Sequence, residues 1–398
     1  MIVDGKRALA YTVAVDAVDA IDGADNIALA TVGGWKVIVK KEEFKPGDVA
    51  VFFEIDSKLP EEERYAFMER KHYKVKTMKL SKFGVVSQGL LMPISEFPEL
   101  DLAEVGIDLT DTLHITYAEP EDNKRKSSVN KDAKYQSMAA RHKNIFRQKW
   151  ARWLMRREWG RKLMFAIFGK KRDNPREWPV GVFPGVSKTD QERCENMPWV
   201  LEDKTPWIRT NKCDGTSATY ILARKGRKYE FYVCSRNVRM ADEKQECFYG
   251  NDNYYWQMAF KYRIEGRMKT YLAEHPELTF VCWQGEICGP GIQQNPQGLE
   301  DLHLFCFHFT DDNGRKDIRE AKEIWDSYTM ETVPIDEELY IMPDDFEEFK
   351  LSADGFYAPE CCEGKTNRPR EGYVYYNAAE PTRSFKNVSR SYLLKHNG

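Results

Sequence analysis

The chain has 398 residues and a net charge of −3, with 60 Lys and Arg against 63 Asp and Glu. Aromatic residues at 13% and apolar residues at 42% exclude a globally disordered polymer. No run approaches the ~18–20 apolar residues of a membrane span; the best, Leu163 to Phe168, has six.

At ~100–200 residues per domain, the length predicts two or three domains. Residues 1–118 read as β-rich. Ala8 to Val15, Trp35 to Val39 and Val49 to Ile55 are β-prone runs, punctuated by Gly33-Gly34 and Lys45-Pro46-Gly47-Asp48. Ser87 to Pro93 adds a strand ending at a proline. Short strands at this spacing predict a small barrel.

Residues 119–178 change character. Between Lys124 and Arg172 stand 17 Lys and Arg but only two acids, Asp132 and Glu158, so this stretch carries +15 and the remainder of the chain −18. A basic block beside an acidic remainder points to a polyanionic partner reached through one surface. Glu119 to Lys134 reads as a linker. Apolar residues 145, 146, 150, 153 and 154 then form one helical face among arginines. Three readings follow: a helix docked through its aromatics, a phosphate-tracking surface, or a membrane-surface helix. The phosphate-tracking reading makes Arg152, Arg156 and Arg157 candidate nucleic-acid contacts.

Residues 179–398 read as a mixed α/β domain. Strand-like runs (Glu230 to Cys234, Thr279 to Trp283, Leu304 to Phe309, Tyr373 to Tyr376) alternate with helical patterns over Trp256 to Glu274 and Asp317 to Tyr328. Of the nine cysteines none precedes Cys194, and no zinc-like pairs occur. With no clean signal pattern in the first residues, reduced thiols in a cytoplasmic protein are expected.

Five polar groups lie in order at the edges of strand-like runs in this third segment. They are Lys212-Cys213-Asp214-Gly215, Ser235-Arg236, Gly285-Glu286, Glu371-Gly372 and Lys386. A sheet could aim all five into one cleft. Two other patterns fail. Gly364-Lys365-Thr366 lacks the earlier glycine of a P-loop, since Pro359 stands there, and Asp311 to Gly314 lacks the first ligand of a calcium loop.

The ordered set resembles the covalent nucleotidyltransferase superfamily of polynucleotide ligases and capping enzymes, with its KxDG, SR, GE, EG and lysine motifs. Three further stretches are similar to the ATP-dependent RNA ligases that carry an OB-like domain first. One runs in pieces from Ala24 to Pro60; the others are Ser187 to Arg193 and Gly285 to Gln293. The resemblance implies an α+β architecture: an OB-like barrel over 1–118, a basic helical connector over 119–178, and a nucleotidyltransferase domain with antiparallel sheets over 179–398.

It also implies roles. Lys212 would attack the ATP α-phosphate to give lysyl-AMP, and Lys386 would bind that phosphate. Nearby cations or a metal would lower the pKa of Lys212. Asp214, Glu286 and Glu371 are hard oxygen donors suited to Mg²⁺ or Mn²⁺, directly or through water. Arg236 would hold the ribose or a 5′-phosphate, Phe307 and Val374 would sandwich adenine, and Arg193 and Lys188 would reach the ATP phosphates; Glu286 would serve nucleotide as well as metal. The chain departs from the pattern at His308, where many ligases carry Asp, at Asn211, and in having Lys386 without a second lysine.

The expected activity is joining of a 3′-OH RNA end to a 5′-phosphate end, as nick sealing, by a monomer acting on RNA or an RNA-containing duplex. DNA ligation, capping-type guanylyl transfer, and RNA binding with a decayed active site are the alternatives.

Overall fold

The computed structural model describes residues 1–3, 6–100, 104–118, 145, 148–155, 157–168, 176–179, 181–240 and 253–396. Two three-stranded antiparallel sheets build the N-terminal barrel. β1 (Ala10–Ala14), β5 (Val49–Phe53) and β6 (Leu90–Pro93) form one; β2 (Ala17–Ala20), β3 (Ile27–Val32) and β4 (Trp35–Lys40) form the other. In β3 and β4 buried and half-buried positions alternate, as a sheet with one wet face requires. Ala28, Ala30, Val32, Trp35, Val37 and Val39 fill the core between the sheets. This is the expected small barrel.

The connector contains α1 (Lys149–Met155) and α2 (Glu158–Phe168), packed where Ala151 meets Met164. Of the three readings, the helix docked through its aromatics is not what the described residues show. Trp150 and Trp153 are 53% and 49% exposed, and Trp159 is exposed beside them. Ile145, Leu154 and Met155 are the residues that turn inward. Arg157 lies over the Trp153 ring, 3.9 Å from its centre. Arg156 and the Arg152 side chain lie outside the described residues, as do residues 119–144.

The last part of the chain holds two sheets. The smaller joins β7 (Glu192–Arg193), β8 (Trp207–Asn211), β13 (Gly372–Asn377) and β14 (Ser384–Val388), in the order β7-β14-β13-β8. The larger has a central run of β10 (Lys228–Ser235), β9 (Thr216–Lys225), β11 (Phe280–Cys288) and β12 (His303–Asp311). Helices α3 (Tyr254–Lys261), α4 (Ile264–Glu274) and α5 (Ile318–Ser327) cover one face of it. The single helix expected over Trp256 to Glu274 is two, broken where Arg263 takes φ 47°. Asp317 caps α5, its carboxylate accepting from Arg319 N at 2.7 Å.

The barrel does not stand apart. Val388 and Leu393, the latter on the final helix α6 (Arg390–His396), pack into the barrel core. Gly34 N donates to Glu195 O at 2.7 Å; a Cβ at Gly34 would stand 2.7 Å from Glu195 Cα, so only glycine permits this approach. Trp35 Nε1 and Tyr11 OH both donate to Asn196 Oδ1, at 2.6 and 3.0 Å. Asn196 Nδ2 donates to Glu54 at 2.8 Å, and Arg7 and the N-terminal ammonium pair with the same carboxylate. Glu195 is itself fully buried against Lys350 Nζ at 2.8 Å.

Two predictions follow from these buried charges. Burial alone would raise the Glu54 carboxyl, but Arg7, the N-terminal ammonium and Arg193 outweigh it and hold it down to about 2. A depressed carboxylate contributes stability above its unfolded pKa, and that stability is lost as pH falls through the folded value. Glu54→Gln should therefore be less stable at neutral pH and lose less melting temperature than wild type between about pH 4.5 and 2, read by thermal melts. Lys350→Ala strands Glu195 in the interior, and urea unfolding should register a loss of about 3–5 kcal/mol.

Candidate active site

Lys212 does not begin a strand, as its sequence context suggests. It sits in the corner where the chain leaves β8 in the smaller sheet and enters β9 in the larger one. Its backbone N–H donates to Gly372 O at 3.0 Å, which fixes the corner against β13. Gly215 completes the turn because a Cβ there would lie 2.3 Å from Ile287 O. The tight corner aims Lys212 Nζ at Glu371 Oε1, 2.7 Å away at the start of β13.

Three carboxylates surround this lysine. Burial raises Glu286 to about 8, with Glu371 and Asp214 adding and Lys212 opposing. Burial also raises Asp214 to about 7, with Glu371 adding, while Tyr392 OH donates to Asp214 Oδ2. The carboxylates act on the lysine in the sense opposite to the cations or metal expected to lower its pKa. Burial pulls it down, but Glu371, Glu286 and Asp214 outweigh burial and hold Lys212 above its ordinary value. In the ligand-free site the ammonium form is favoured.

Lys386 approaches from β14. Its register partner on β13 is Val374, and on β7 it is Arg193. Lys386 Nζ and Arg236 Nη2 share one counterion, Asp190, at 2.9 and 2.5 Å. Burial would raise Asp190, yet the two cations hold it well below the usual carboxylate range. Burial lowers Lys386 to about 8, Asp190 opposing, with Arg193, Arg7 and Lys212 adding to the fall.

Phe307 reaches the same side through a β-bulge. β11 and β12 pair Gln284 with His308 and then Gly285 with Cys306, leaving Phe307 as the extra residue. Its ring packs half-buried on the cluster that contains Val374 and Cys213. Arg193 turns towards the barrel, pairing with Asp56 at 3.2 Å. Lys188 donates to Asn237 Oδ1 at 3.3 Å and lines a cavity of about 340 Å³ together with Asp190, His308, Arg315 and Ser384. The structure thus brings Glu371 into contact with Lys212 and sets Glu286 and Asp214 close enough to act on its charge. Lys386 and Arg236 meet at Asp190.

Comparison with known proteins places this arrangement. An OB-fold domain model matches residues 9–94 and an RNA ligase model matches residues 205–391. No curated protein sequence matches. Among solved structures, a lysine-to-alanine variant of Naegleria gruberi RNA ligase with ATP and Mn is 26% identical, with a TM-score of 0.73 over 98% of each chain. The same enzyme with pyrophosphate, and a glutamate-to-alanine variant with AMP and Mn, are each 26% identical with a TM-score of 0.72, over 98% of this chain and 99% of theirs.

The chain carries an OB-fold domain followed by an RNA ligase family domain. Over nearly its whole length its fold is similar to that of the Naegleria gruberi RNA ligase structures. Two residues of this ligase site carried no readable signal. Asp190 lies inside the Ser187 to Arg193 stretch, but nothing in its spacing marks it as the partner of two distant cations. Tyr392 stands 178 residues from Asp214 and reaches it only because α6 folds back.

Among the described residues no three His, Cys, Asp or Glu side chains stand close enough to chelate one ion directly. The donor chemistry nonetheless fits a hard cation bound through water: the carboxylates are buried, and Glu371 Oε2 has no hydrogen-bond partner. No helix among the described residues is long and apolar enough to cross a membrane. The eight described cysteines are free and buried.

Asp190 occupies a cationic cradle. Asp190→Asn should raise the affinity for inorganic pyrophosphate roughly fivefold, the equivalent of about 1 kcal/mol for one lost counterion, read by isothermal titration calorimetry.

Proposed function

We propose that this ligase joins a 3′-OH RNA end to a 5′-phosphate end through a lysyl-AMP intermediate, as nick sealing, using ATP and Mg²⁺ or Mn²⁺. The observation that carries the reading is Lys212 Nζ at 2.7 Å from Glu371, on a rigid corner flanked by Asp214 and Glu286.

The chemistry follows from the charges. Lys212 must lose a proton before its nitrogen can attack, and the surrounding carboxylates oppose that loss. A divalent cation held by Asp214, Glu286 and Glu371 through water would neutralise them and polarise the phosphate. Lys212 Nζ then bonds to the α-phosphorus and pyrophosphate departs. AMP next passes to the RNA 5′-phosphate, freeing the lysine, and the 3′-OH displaces AMP as the phosphodiester forms.

Lys386 supplies positive charge at the α-phosphate, and Arg236 holds the ribose or the 5′-phosphate; both would exchange Asp190 for these groups. Phe307 and Val374 enclose adenine. Lys188, on the wall of the adjoining cavity, reaches the outer phosphates, and Arg193 acts beside Lys386. The connector, through Arg152, Arg156 and Arg157, contacts the nucleic-acid backbone while the exposed tryptophans, with Arg157 over Trp153, stack on unpaired bases. Selection for RNA at the 3′-OH strand would come from its 2′-OH and the A-form shape near the nick.

Incubation with α-labelled ATP and Mg²⁺ should label wild type through denaturing electrophoresis and leave Lys212→Ala unlabelled. Lys386→Ala, folded by its melting curve, should lose the label as well. Labelling by GTP alone would move the reading to guanylyl transfer. Sealing of an all-DNA nick at equal rate would move it to DNA ligation. No label from folded protein that is not already adenylylated would leave an RNA-binding protein with a ligase shell.

A further inference from the structure

A second basic stretch lies in the N-terminal domain, apart from the connector in sequence. Residues 70–82 hold six Lys and Arg (Arg70, Lys71, Lys74, Lys76, Lys79, Lys82) and no acid, within a chain whose net charge is −3. The run covers the end of the 3₁₀ helix Glu63–Lys71 and the hairpin that pairs Met78–Leu80 with Val85–Ser87. Lys71 Nζ lies 2.6 Å from Met78 Sδ, so the helix end and the hairpin form one surface. Among the described residues no carboxylate pairs with Arg70, Lys76, Lys79 or Lys82. Lys82 instead lies over Phe83, 4.9 Å from the ring centre.

The root of this hairpin reaches the active site. Val75 N donates to Ser57 O at 2.8 Å, and Asp56 N donates to Val75 O at 3.0 Å. The Asp56 carboxylate pairs with Arg193, the register partner of Lys386. Unneutralised lysines on a short hairpin hold their charge at a cost in self-repulsion, and a polyanion is the ligand that relieves it. Between residues 70 and 87 no large apolar residue is exposed, and Phe67 on the preceding helix, 60% exposed, is a lone ring, not the apolar face that a lipid interface would take.

We propose that the 70–82 hairpin is a nucleic-acid backbone track, carrying the duplex beside the nick from the barrel surface to the cleft at Asp56 and Arg193. The identity of the duplex as RNA rests on the function proposed above; the backbone contact does not. The track is separate from the connector and from every residue that handles nucleotide. It reads phosphates, not bases, and so positions the substrate without selecting sequence.

The test uses full-length wild type and a Lys76→Ala, Lys79→Ala, Lys82→Ala triple variant. Affinity for a fluorescent nicked RNA duplex is measured by anisotropy across a salt series. The slope of log K against log salt should fall by about 2–3, at somewhat under one unit per lost phosphate contact, with affinity near 0.1 M salt reduced at least roughly tenfold. Lysyl-AMP formation should be unchanged. If the triple variant melts early, Lys79→Gln with Lys82→Gln, both exposed, should lower the slope by roughly 2. An unchanged slope and affinity would overturn the track, as would loss of binding to phosphatidylserine vesicles with RNA binding intact. Failure of wild type to form lysyl-AMP would strike the proposed function and leave the salt-slope result standing.

Discussion

Lys350 and Glu195 form an ion pair with no exposure on either side, and much of the molecule is arranged around it. A buried pair is a weak source of net stability, because desolvating two charges offsets most of their attraction. What it supplies is position. Lys350 Nζ also donates to Asn387 Oδ1 at 2.8 Å and Val388 O at 3.2 Å, so it fixes β14 immediately beyond Lys386. Glu195 fixes the other side, since its carbonyl receives Gly34 of the barrel. Residues 190–196 are therefore held at both ends. Asp190 meets Lys386 and Arg236, Arg193 meets Asp56, and Asn196 meets Tyr11, Trp35 and Glu54. One short segment ties the barrel to the cations of the catalytic cleft.

The C-terminal helix ties the same two parts together from the opposite side. Leu393 is in the barrel core, and one residue earlier Tyr392 donates to Asp214. Ser389 N donates to Glu371 O at 2.8 Å, so the start of α6 also holds the strand that carries Glu371. A shift of the barrel would move both contacts. On the proposed reading, the OB domain takes part in placing the carboxylates as well as in binding RNA. The division at residue 179 describes the order of the sequence better than it describes the mechanics.

The parts legible in the sequence were those set by local pattern. Alternation in Ile27–Val32 and Trp35–Lys40 announced the barrel, and the ordered motif residues pointed to side chains that the fold brings around Lys212 and around Asp190. What was not legible depended on long-range geometry. The Lys212 corner joins two sheets, and a run of residues cannot say that neighbouring strands belong to different sheets. The bulge at Phe307 arises from the pairing of its strand with Gln284 and Gly285, 23 and 22 residues earlier. Trp150 and Trp153 have the spacing of a docked face, yet Ile145 and Leu154 turn inward instead, since helical periodicity fixes which residues share a side and not which side finds a partner.

The direction of the Lys212 shift was hidden for a related reason. A motif names the residues near a nucleophile but not the balance of their charges. Burial chiefly lowers Lys386, with Arg193, Arg7 and then Lys212 adding, so repulsion between the two lysines is a small part of its shift. Glu371 stands nearer to Lys212 than any cation, and Glu286 and Asp214 add to it. On the proposed reading the resting site is set against reaction: the charge around Lys212 favours its ammonium form, and the cations that would bind phosphate are neutralised by Asp190. Both restraints rest on carboxylates, Glu371 at Lys212 and Asp190 at the two cations, so positive charge brought to Glu371 and phosphate brought to Lys386 and Arg236 would release them. A nucleotide arriving with a divalent cation carries both. On the proposed reading, the same electrostatics that keep Lys212 inert in the empty enzyme make its activation conditional on the complete substrate.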